Sequence, residues 1–119
     1  MNPSSSLIKR GDLFWVDLSP TRGAEQAGRR PVLVIQNDIG NQWAQTTIIA
    51  PLTTRDFPKE YPTNVHLPKG TGGLKTDSTV LLSQIRTLDK SRLEEKIGHI
   101  PAEYAQKVSR AIKTSLGLE

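Results

Sequence analysis

The chain of 119 residues contains no cysteine. Disulfide bridges and thiolate metal sites are therefore excluded, and the composition suits a reducing cytoplasm. No apolar run approaches the roughly 20 residues that a membrane-spanning helix needs. The polar N-terminal segment also lacks the apolar stretch of a secretory signal. We expect residues 1–7 to be a disordered lead-in and residues 8–119 to form one cytoplasmic domain without membrane contact.

Histidine is almost as scarce as cysteine. The two histidines, His66 and His99, are far apart in the chain, and the acidic residues are scattered. Neither pattern predicts a metal site, and each histidine is expected to be structural or at the surface. No Walker loop and no recognisable Ser/His/Asp context is present. We therefore expect no metal or other cofactor, while the net charge of +4 gives a mild preference for an anionic partner.

Two adjacent arginines stand immediately before an apolar run. Arg29 and Arg30 precede Pro31 and residues 32–35, which predict a strand buried on both faces. Gly23 and Gly28 bracket a flexible loop that leads to the arginines. A guanidinium held at a strand edge suits recognition of a phosphate. The alternative is that both arginines are solvated surface charges beside a core strand.

The remaining patterns predict a mainly β domain. We expect strands over residues 13–18, 46–52, 63–67, 78–88 and 96–100, with turns at 37–41 and 68–74. A short helical turn follows Asp89, and a C-terminal helix begins at Pro101 and ends at Gly117. Phe14 and Trp15 are expected in the core or at a dimer interface, while Trp43 stays unassigned. Short strands followed by a helix predict a small, strongly bent antiparallel sheet or partly open barrel.

Four blocks, taken in order, give the chain a family resemblance. They are residues 9–18, the Gly23…Glu25-Gln26…Gly28…Arg30-Pro31 block continuing to Asn37, residues 49–53, and Leu81…Gln84-Ile85-Arg86 continuing to Asp89. Over residues 8–118 the chain resembles MazF/PemK-type toxins of toxin–antitoxin systems. The resemblance implies an SH3-like, CcdB/PemK-type partly open barrel with a C-terminal helix, acting as a homodimer. It also implies a metal- and ribosome-independent endoribonuclease that cuts single-stranded RNA at a short sequence, commonly one containing ACA. The implied partner is a cognate antitoxin, whose acidic, disordered tail would cover the RNA groove.

The resemblance places the catalytic pair at Arg30 and Thr53. RNA carries its own nucleophile, so attack by the 2′-hydroxyl on the adjacent phosphate can leave a 2′,3′-cyclic phosphate and a 5′-hydroxyl. Arg30 would stabilise the phosphorane charge and is a candidate acid, although arginine is a poor one. Thr53 would donate a hydrogen bond, whereas its spacing alone favours a strand-end residue that caps a turn. The general base stays unassigned.

Further RNA contacts are expected around this pair. Each such residue is, taken alone, more typical of ordinary surface, but together they favour an RNA groove. The candidates are Glu25, Gln26 and Arg29 on the loop before the buried strand, Arg55 and Phe57 on a later loop, and Gln84 and Arg86 near a strand end.

Two other functions compete with the ribonuclease. A CcdB-like gyrase poison would share the fold, since fold does not decide function. That group relies on a tryptophan near the C-terminus, which residues 115–119 do not contain. A non-catalytic SH3-like module that binds RNA or peptide would lose only affinity when Arg30 is removed, whereas an enzyme would lose turnover.

Overall fold

A curled antiparallel sheet forms most of the molecule. The computed structural model describes residues 8–118, so the lead-in predicted over residues 1–7 lies outside the described residues. The strands are β1 (Asp12–Asp17), β2 (Arg29–Val34), β3 (Thr46–Thr53), β4 (Asn64–Leu67), β5 (Ser78–Leu81), β6 (Arg86–Asp89) and β7 (Lys96–His99). In space they follow the order β4-β5-β3-β2-β1-β7, and β6 pairs with the first half of β3. The result is a half-barrel with a C-terminal helix, which confirms the predicted fold class.

The long strand β3 bends the sheet, because different parts of it pair with different neighbours. Leu52 pairs with Val80 of β5, and Ile49 pairs with Arg86 of β6. A step of three residues along β3 therefore corresponds to a step of six residues from β5 to β6. The extra residues form the turn between β5 and β6. The prediction of one continuous strand over residues 78–88 is thus wrong. The break places Gln84 in a turn rather than on a strand face.

Within residues 8–118, two α-helices and the short 3-10 helices Thr71–Gly73 and Lys90–Arg92 complete the fold. The helix α1 (Asp38–Trp43) lies where the sequence predicted only a turn. It begins there because the side chain of Asn37 accepts a hydrogen bond from Gly40 N, at 2.8 Å, and so caps the first turn. The helix α2 (Ala102–Leu116) agrees with the predicted C-terminal helix and ends at Gly117, whose φ is 72°. No helix within residues 8–118 combines the length and apolarity needed to cross a membrane.

The core divides between the two sides of the curled sheet. Val32–Ile35 are all buried, as predicted, with alternate residues in different clusters. One cluster lies between the sheet and α2, and includes Leu33, Val108 and Ala111. The other packs Phe14 and Val32 on the opposite side. Phe14 is therefore a core residue, as expected.

Buried polar groups attach the smaller elements to the sheet. Lys90, next to β6, is buried and donates from Nζ to the carbonyl of Asn41 in α1, and desolvation lowers its pKa. At the start of α1, Asp38 accepts a bond from Arg10 N, which holds the pKa of that carboxyl below its usual value. Asp12 is buried and bonds His99 Nδ1 at 2.7 Å, so His99 has the structural role that was expected.

Candidate active site

Three concave surfaces lie along the open edge of the half-barrel. The first, here named the central cleft, has a volume of about 370 Å³ and contains Arg29, Arg30 and Thr53. The second, the loop cleft, measures about 670 Å³ and lies between the β1–β2 loop and the β5–β6 turn. The third, the helix cleft, measures about 820 Å³ and lies between residues 54–62, β4 and α2. The predicted site residues are distributed over all three clefts.

Sheet pairing brings Arg30 and Thr53 together. Val32 of β2 pairs with Pro51 of β3, and continuing this antiparallel register puts Arg30 opposite Thr53. Both side chains line the central cleft. Two residues that are 23 positions apart in the chain therefore meet at one site, because the start of β2 and the end of the antiparallel strand β3 lie side by side. The structure thus makes the predicted pair spatially possible.

The guanidinium of Arg30 is held by two backbone carbonyls. Its Nε donates to Ala27 O at 2.9 Å, and its Nη1 donates to Leu52 O at 3.1 Å. An arginine carries five N–H donors in a planar fork, so these bonds fix the plane and leave three N–H groups for a ligand. This geometry is suited to binding phosphate oxygens. Arg30 is only partly exposed, so it does not match the alternative of a freely solvated charge.

Thr53 is the last residue of β3 and is 9% exposed. Its Oγ1 accepts a hydrogen bond from Arg55 N at 3.2 Å, so it does cap the following turn, as its spacing suggested. Accepting that bond leaves the hydroxyl hydrogen free to donate. The turn cap and the donation of a hydrogen bond into the cleft are therefore compatible roles.

Arg29 has partners of its own, which differ from those of Arg30. Its guanidinium carbon lies 4.6 Å from the centre of the Trp15 ring, and its Nε lies 2.8 Å from Oε1 of Glu94. Its side chain is half-exposed. Trp15 is itself half-buried and lines the central cleft, so it does not belong to the core as Phe14 does. The core interpretation of Trp15 is therefore wrong, because Trp15 belongs to neither buried cluster, and its alternative placement at a dimer interface stays a prediction.

The loop cleft gathers four of the predicted RNA-binding residues. Gln26 N donates to Oε1 of Gln84 at 2.8 Å, which joins the β1–β2 loop to the β5–β6 turn. Arg86 donates from Nη1 to Leu18 O at 3.2 Å. Glu25 accepts a bond within its own loop from Arg22 N. These polar groups surround one cavity, although only the break between β5 and β6 puts Gln84 there.

Arg55 and Phe57 lie apart from that group, in the helix cleft. The guanidinium carbon of Arg55 is 5.1 Å from the centre of the Phe57 ring, and Tyr61 packs edge-on against the same ring. Thr54 lines both the helix cleft and the central cleft, so these two surfaces are adjacent. His66 also lines the helix cleft and is exposed on β4.

Several residues of the central cleft were missed by the sequence reasoning. Lys75 and Thr76 line it, although their segment reads only as part of a glycine-rich connection. Lys75 follows three glycines within five residues, and this pattern could have indicated a ligand contact, since binding residues are often carried by such loops. Among residues 8–118, no three His, Asp or Glu side chains lie together as metal ligands.

The fold and these clefts define a mostly β half-barrel protein with a cationic, partly apolar site at its open edge. A family model described as "PemK-like, MazF-like toxin of type II toxin-antitoxin system" matches residues 9–116. The chain belongs to this family, which confirms the resemblance found in the sequence.

Curated relatives agree with this assignment over nearly their whole length. The chain is 48% identical over 112 residues to "Endoribonuclease EndoA" of Bacillus subtilis, covering 94% of this chain and 97% of the relative. It is 46% identical over 112 residues to "Endoribonuclease MazF" of Staphylococcus saprophyticus, covering 94% of this chain and 93% of the relative. Both relatives are named endoribonucleases, which is the enzyme class that the sequence predicted.

Solved structures share the architecture. A crystal structure of MazF from Deinococcus radiodurans superposes with a TM-score of 0.78 and 32% identity, covering 99% of both chains. A crystal structure of MazE–MazF from the same organism superposes with a TM-score of 0.72 and 32% identity, covering 94% of this chain and 97% of that one. The half-barrel is therefore the fold of MazF.

Proposed function

We propose that this toxin is a sequence-specific endoribonuclease that cuts single-stranded RNA without a metal ion or the ribosome. The observation that carries the proposal is the anchored guanidinium of Arg30 next to Thr53 in the central cleft. The names of the two curated relatives support the reaction class. Cleavage of messenger RNA would inhibit translation and growth.

The reaction uses the substrate's own 2′-hydroxyl. The 2′-oxygen bonds to phosphorus, the bond from phosphorus to the 5′-oxygen breaks, and the 2′-proton leaves while the 5′-oxygen gains one. The products are a 2′,3′-cyclic phosphate and a 5′-hydroxyl. Arg30 directs its free N–H groups at the non-bridging oxygens and stabilises their growing charge. Because arginine holds its proton tightly, we assign Arg30 an electrostatic role, and Thr53 the donation of a further hydrogen bond.

The neighbouring clefts would hold the rest of the RNA. The loop cleft offers amide and guanidinium groups from Gln26, Gln84 and Arg86, which suit the edges of unstacked bases. Arg55 and Phe57 offer a charge and a ring face in the helix cleft. Since Thr54 borders both the central and helix clefts, one strand of RNA can run from one to the other.

Control of the toxin would come from a cognate antitoxin. The MazE–MazF structure from Deinococcus radiodurans supports such a partner. An acidic tail that is disordered when free would fold across the cationic clefts and exclude RNA. We further propose that the toxin acts as a homodimer in the cytoplasm.

The decisive experiment is cleavage of a mixed-sequence single-stranded RNA by purified protein in EDTA, with mapping of cut sites and end groups. We expect discrete cuts at one short motif, with 5′-hydroxyl ends. Arg30→Ala should fold normally and lose cleavage, because it removes the anchored guanidinium.

The matched control is Arg92→Ala, which removes an arginine that also donates to a backbone carbonyl but lines none of the three clefts, and this variant should cut at the same motif. Absence of cleavage by the folded wild-type protein would contradict the proposal. A supercoiling assay would then test the gyrase-poison alternative.

A further inference from the structure

The lining of the central cleft is largely apolar and includes a tryptophan. Trp15 pairs with Pro31 across β1 and β2, directly beside the pairing of Val16 with Arg30. Its side chain is half-buried and lines the same cleft as Arg30 and Thr53. A large aromatic ring that faces an open cleft beside a phosphate-binding arginine requires an explanation other than core packing.

The lining of the central cleft combines two kinds of side chain. Its volume of about 370 Å³ lies at the small end of the range of about 300 to 1,000 Å³ that is typical of ligand sites. Hydrophobic side chains stand beside cationic and hydroxyl groups, which matches the apolar faces of a base and the anionic phosphate beside it. The hydrophobic residues are Trp15, Pro31, Leu52, Leu74 and Ile97, and the polar ones are Arg29, Arg30, Lys75, Thr53, Thr54, Thr76 and Ser78.

The exposed side of the Trp15 ring is already covered by a planar cation. The guanidinium carbon of Arg29 lies 4.6 Å from the ring centre, and Glu94 holds the Arg29 Nε at 2.8 Å. Both charged side chains are about half-exposed, at 51% and 41%, so each contact contributes little to stability. A ligand with a flat π-face can therefore displace the guanidinium at low cost.

We propose that Trp15 is a base-stacking residue, and that a nucleobase flanking the scissile phosphate replaces the Arg29 guanidinium on its ring. The proposal rests on the proposed ribonuclease function and adds a residue to its substrate site. Arg29, once released from Trp15, pairs with a backbone phosphate of the same RNA. In the free protein Glu94 holds Arg29 in place, so Glu94 opposes RNA binding.

Fluorescence can observe Trp15 directly. The only other tryptophan, Trp43, lies on α1 and is 76% exposed, so Trp43→Phe leaves Trp15 as the sole reporter without disturbing the core. The probe is a mixed-sequence 2′-O-methyl oligoribonucleotide, which lacks the attacking hydroxyl and stays intact. We expect Trp15 fluorescence to change with the same saturation curve as binding measured by fluorescence anisotropy. Saturated binding without any change in Trp15 fluorescence would overturn the proposal.

Substitution separates stacking from a structural role. Base–aromatic stacking predicts that Trp15→Leu weakens binding of the oligonucleotide by about 5- to 150-fold, whereas Trp15→Phe retains most of the affinity. The matched changes Trp43→Leu and Trp43→Phe should leave affinity unchanged. If Trp15→Phe keeps its fold but changes the oligomeric state measured by light scattering, Trp15 is an interface residue and the proposal is wrong.

The role of Glu94 provides a second test with a closely matched control. Glu94→Gln and Glu95→Gln each remove one exposed negative charge from adjacent positions, but only Glu94 bonds Arg29. We expect Glu94→Gln to bind the oligonucleotide several-fold more tightly than Glu95→Gln at equal ionic strength. Equal affinities would contradict the role of Glu94.

The stacking site and the ribonuclease activity are tested separately by these experiments. If unmodified RNA is cut but Trp15 fluorescence does not respond to saturating oligonucleotide, the stacking site is wrong and the ribonuclease stands. If Trp15 responds and Trp15→Leu binds weakly but unmodified RNA is never cut, the ribonuclease is wrong and the chain binds bases without cleaving them.

Discussion

Replacing Arg30 by lysine tests whether geometry, rather than charge alone, makes the central cleft catalytic. Lysine keeps the positive charge but concentrates its three donors on one nitrogen, without a planar fork. The two bonds from Arg30 to Ala27 O and Leu52 O, at 2.9 and 3.1 Å, are what orient the guanidinium. A lysine that binds a carbonyl cannot also present two directed donors to the phosphorane.

The magnitude follows from the loss of directed donors. Removing one preorganised donor to a developing oxyanion costs about 2.7 to 4 kcal/mol, or about 100- to 1,000-fold in turnover. We therefore expect Arg30→Lys to lose about 100-fold or more in the single-turnover rate. The bond to the Ala27 carbonyl is exposed, so water can replace the guanidinium there, and the lysine ammonium can bind the partly buried carbonyl of Leu52. The loss of folding free energy should accordingly be about 1 kcal/mol, which corresponds to a few degrees in Tm.

The assay is single-turnover cleavage of a short RNA containing the mapped motif, with EDTA present and protein in excess. Arg92→Lys is the control, since it makes the same chemical change at an arginine that lines none of the three clefts. Circular dichroism establishes that both variants fold. If Arg30→Lys keeps a rate within threefold of the wild type, the orientation of the guanidinium by two carbonyls is not needed for catalysis. A positive charge at residue 30 would then be sufficient for cleavage.

Three further predictions concern Thr53, Gly98 and Lys90. Thr53→Val should slow cleavage at least tenfold while RNA affinity stays within about threefold, and Thr53→Ser should restore the rate; a large loss of affinity measured by anisotropy would make Thr53 a binding residue instead. Gly98→Ala should destabilise the fold by several kcal/mol in urea unfolding, because its new Cβ would lie 2.0 Å from Gly72 O, and a loss below 1 kcal/mol would disprove that close contact. For Lys90, desolvation lowers the folded-state pKa below the unfolded value of 10.5, so between those two values the unfolded chain binds more protons and stability rises with pH. Relative to Lys90→Met, the wild type should therefore gain unfolding free energy as pH rises toward 10.5, and parallel curves would contradict the shift.

The sequence predicted those features that local pattern controls. Residues 32–35 form an unbroken apolar run, and burial on both faces follows from that run alone. The helix α2 was recognisable because Val108 and Ala111 repeat at helical spacing before Gly117. By contrast, α1 was missed, since its six residues contain a glycine and depend on the cap from Asn37. A helix that short has no periodicity to detect.

The family match supplied the identities of Arg30 and Thr53, but the chain order does not show that they meet. Their proximity depends on the register between β2 and β3, which hydrogen bonding across the sheet sets. The predicted RNA contacts around them likewise depend on strand pairing and not on chain order. Gln84 and Gln26 are 58 positions apart, and they bond only because β3 pairs with β5 and β6 in different registers.

Composition and hydrophobic pattern by themselves determined that this chain is basic, mainly β and without disulfides, because burial and strand propensity act over a few neighbouring residues. Motif order determined its family. Only the tertiary structure decided that Trp15 lines the central cleft while Phe14, its neighbour, is in the core. Successive residues of a strand face opposite sides of the sheet, and which side stays open depends on where the sheet curls and where its edge lies.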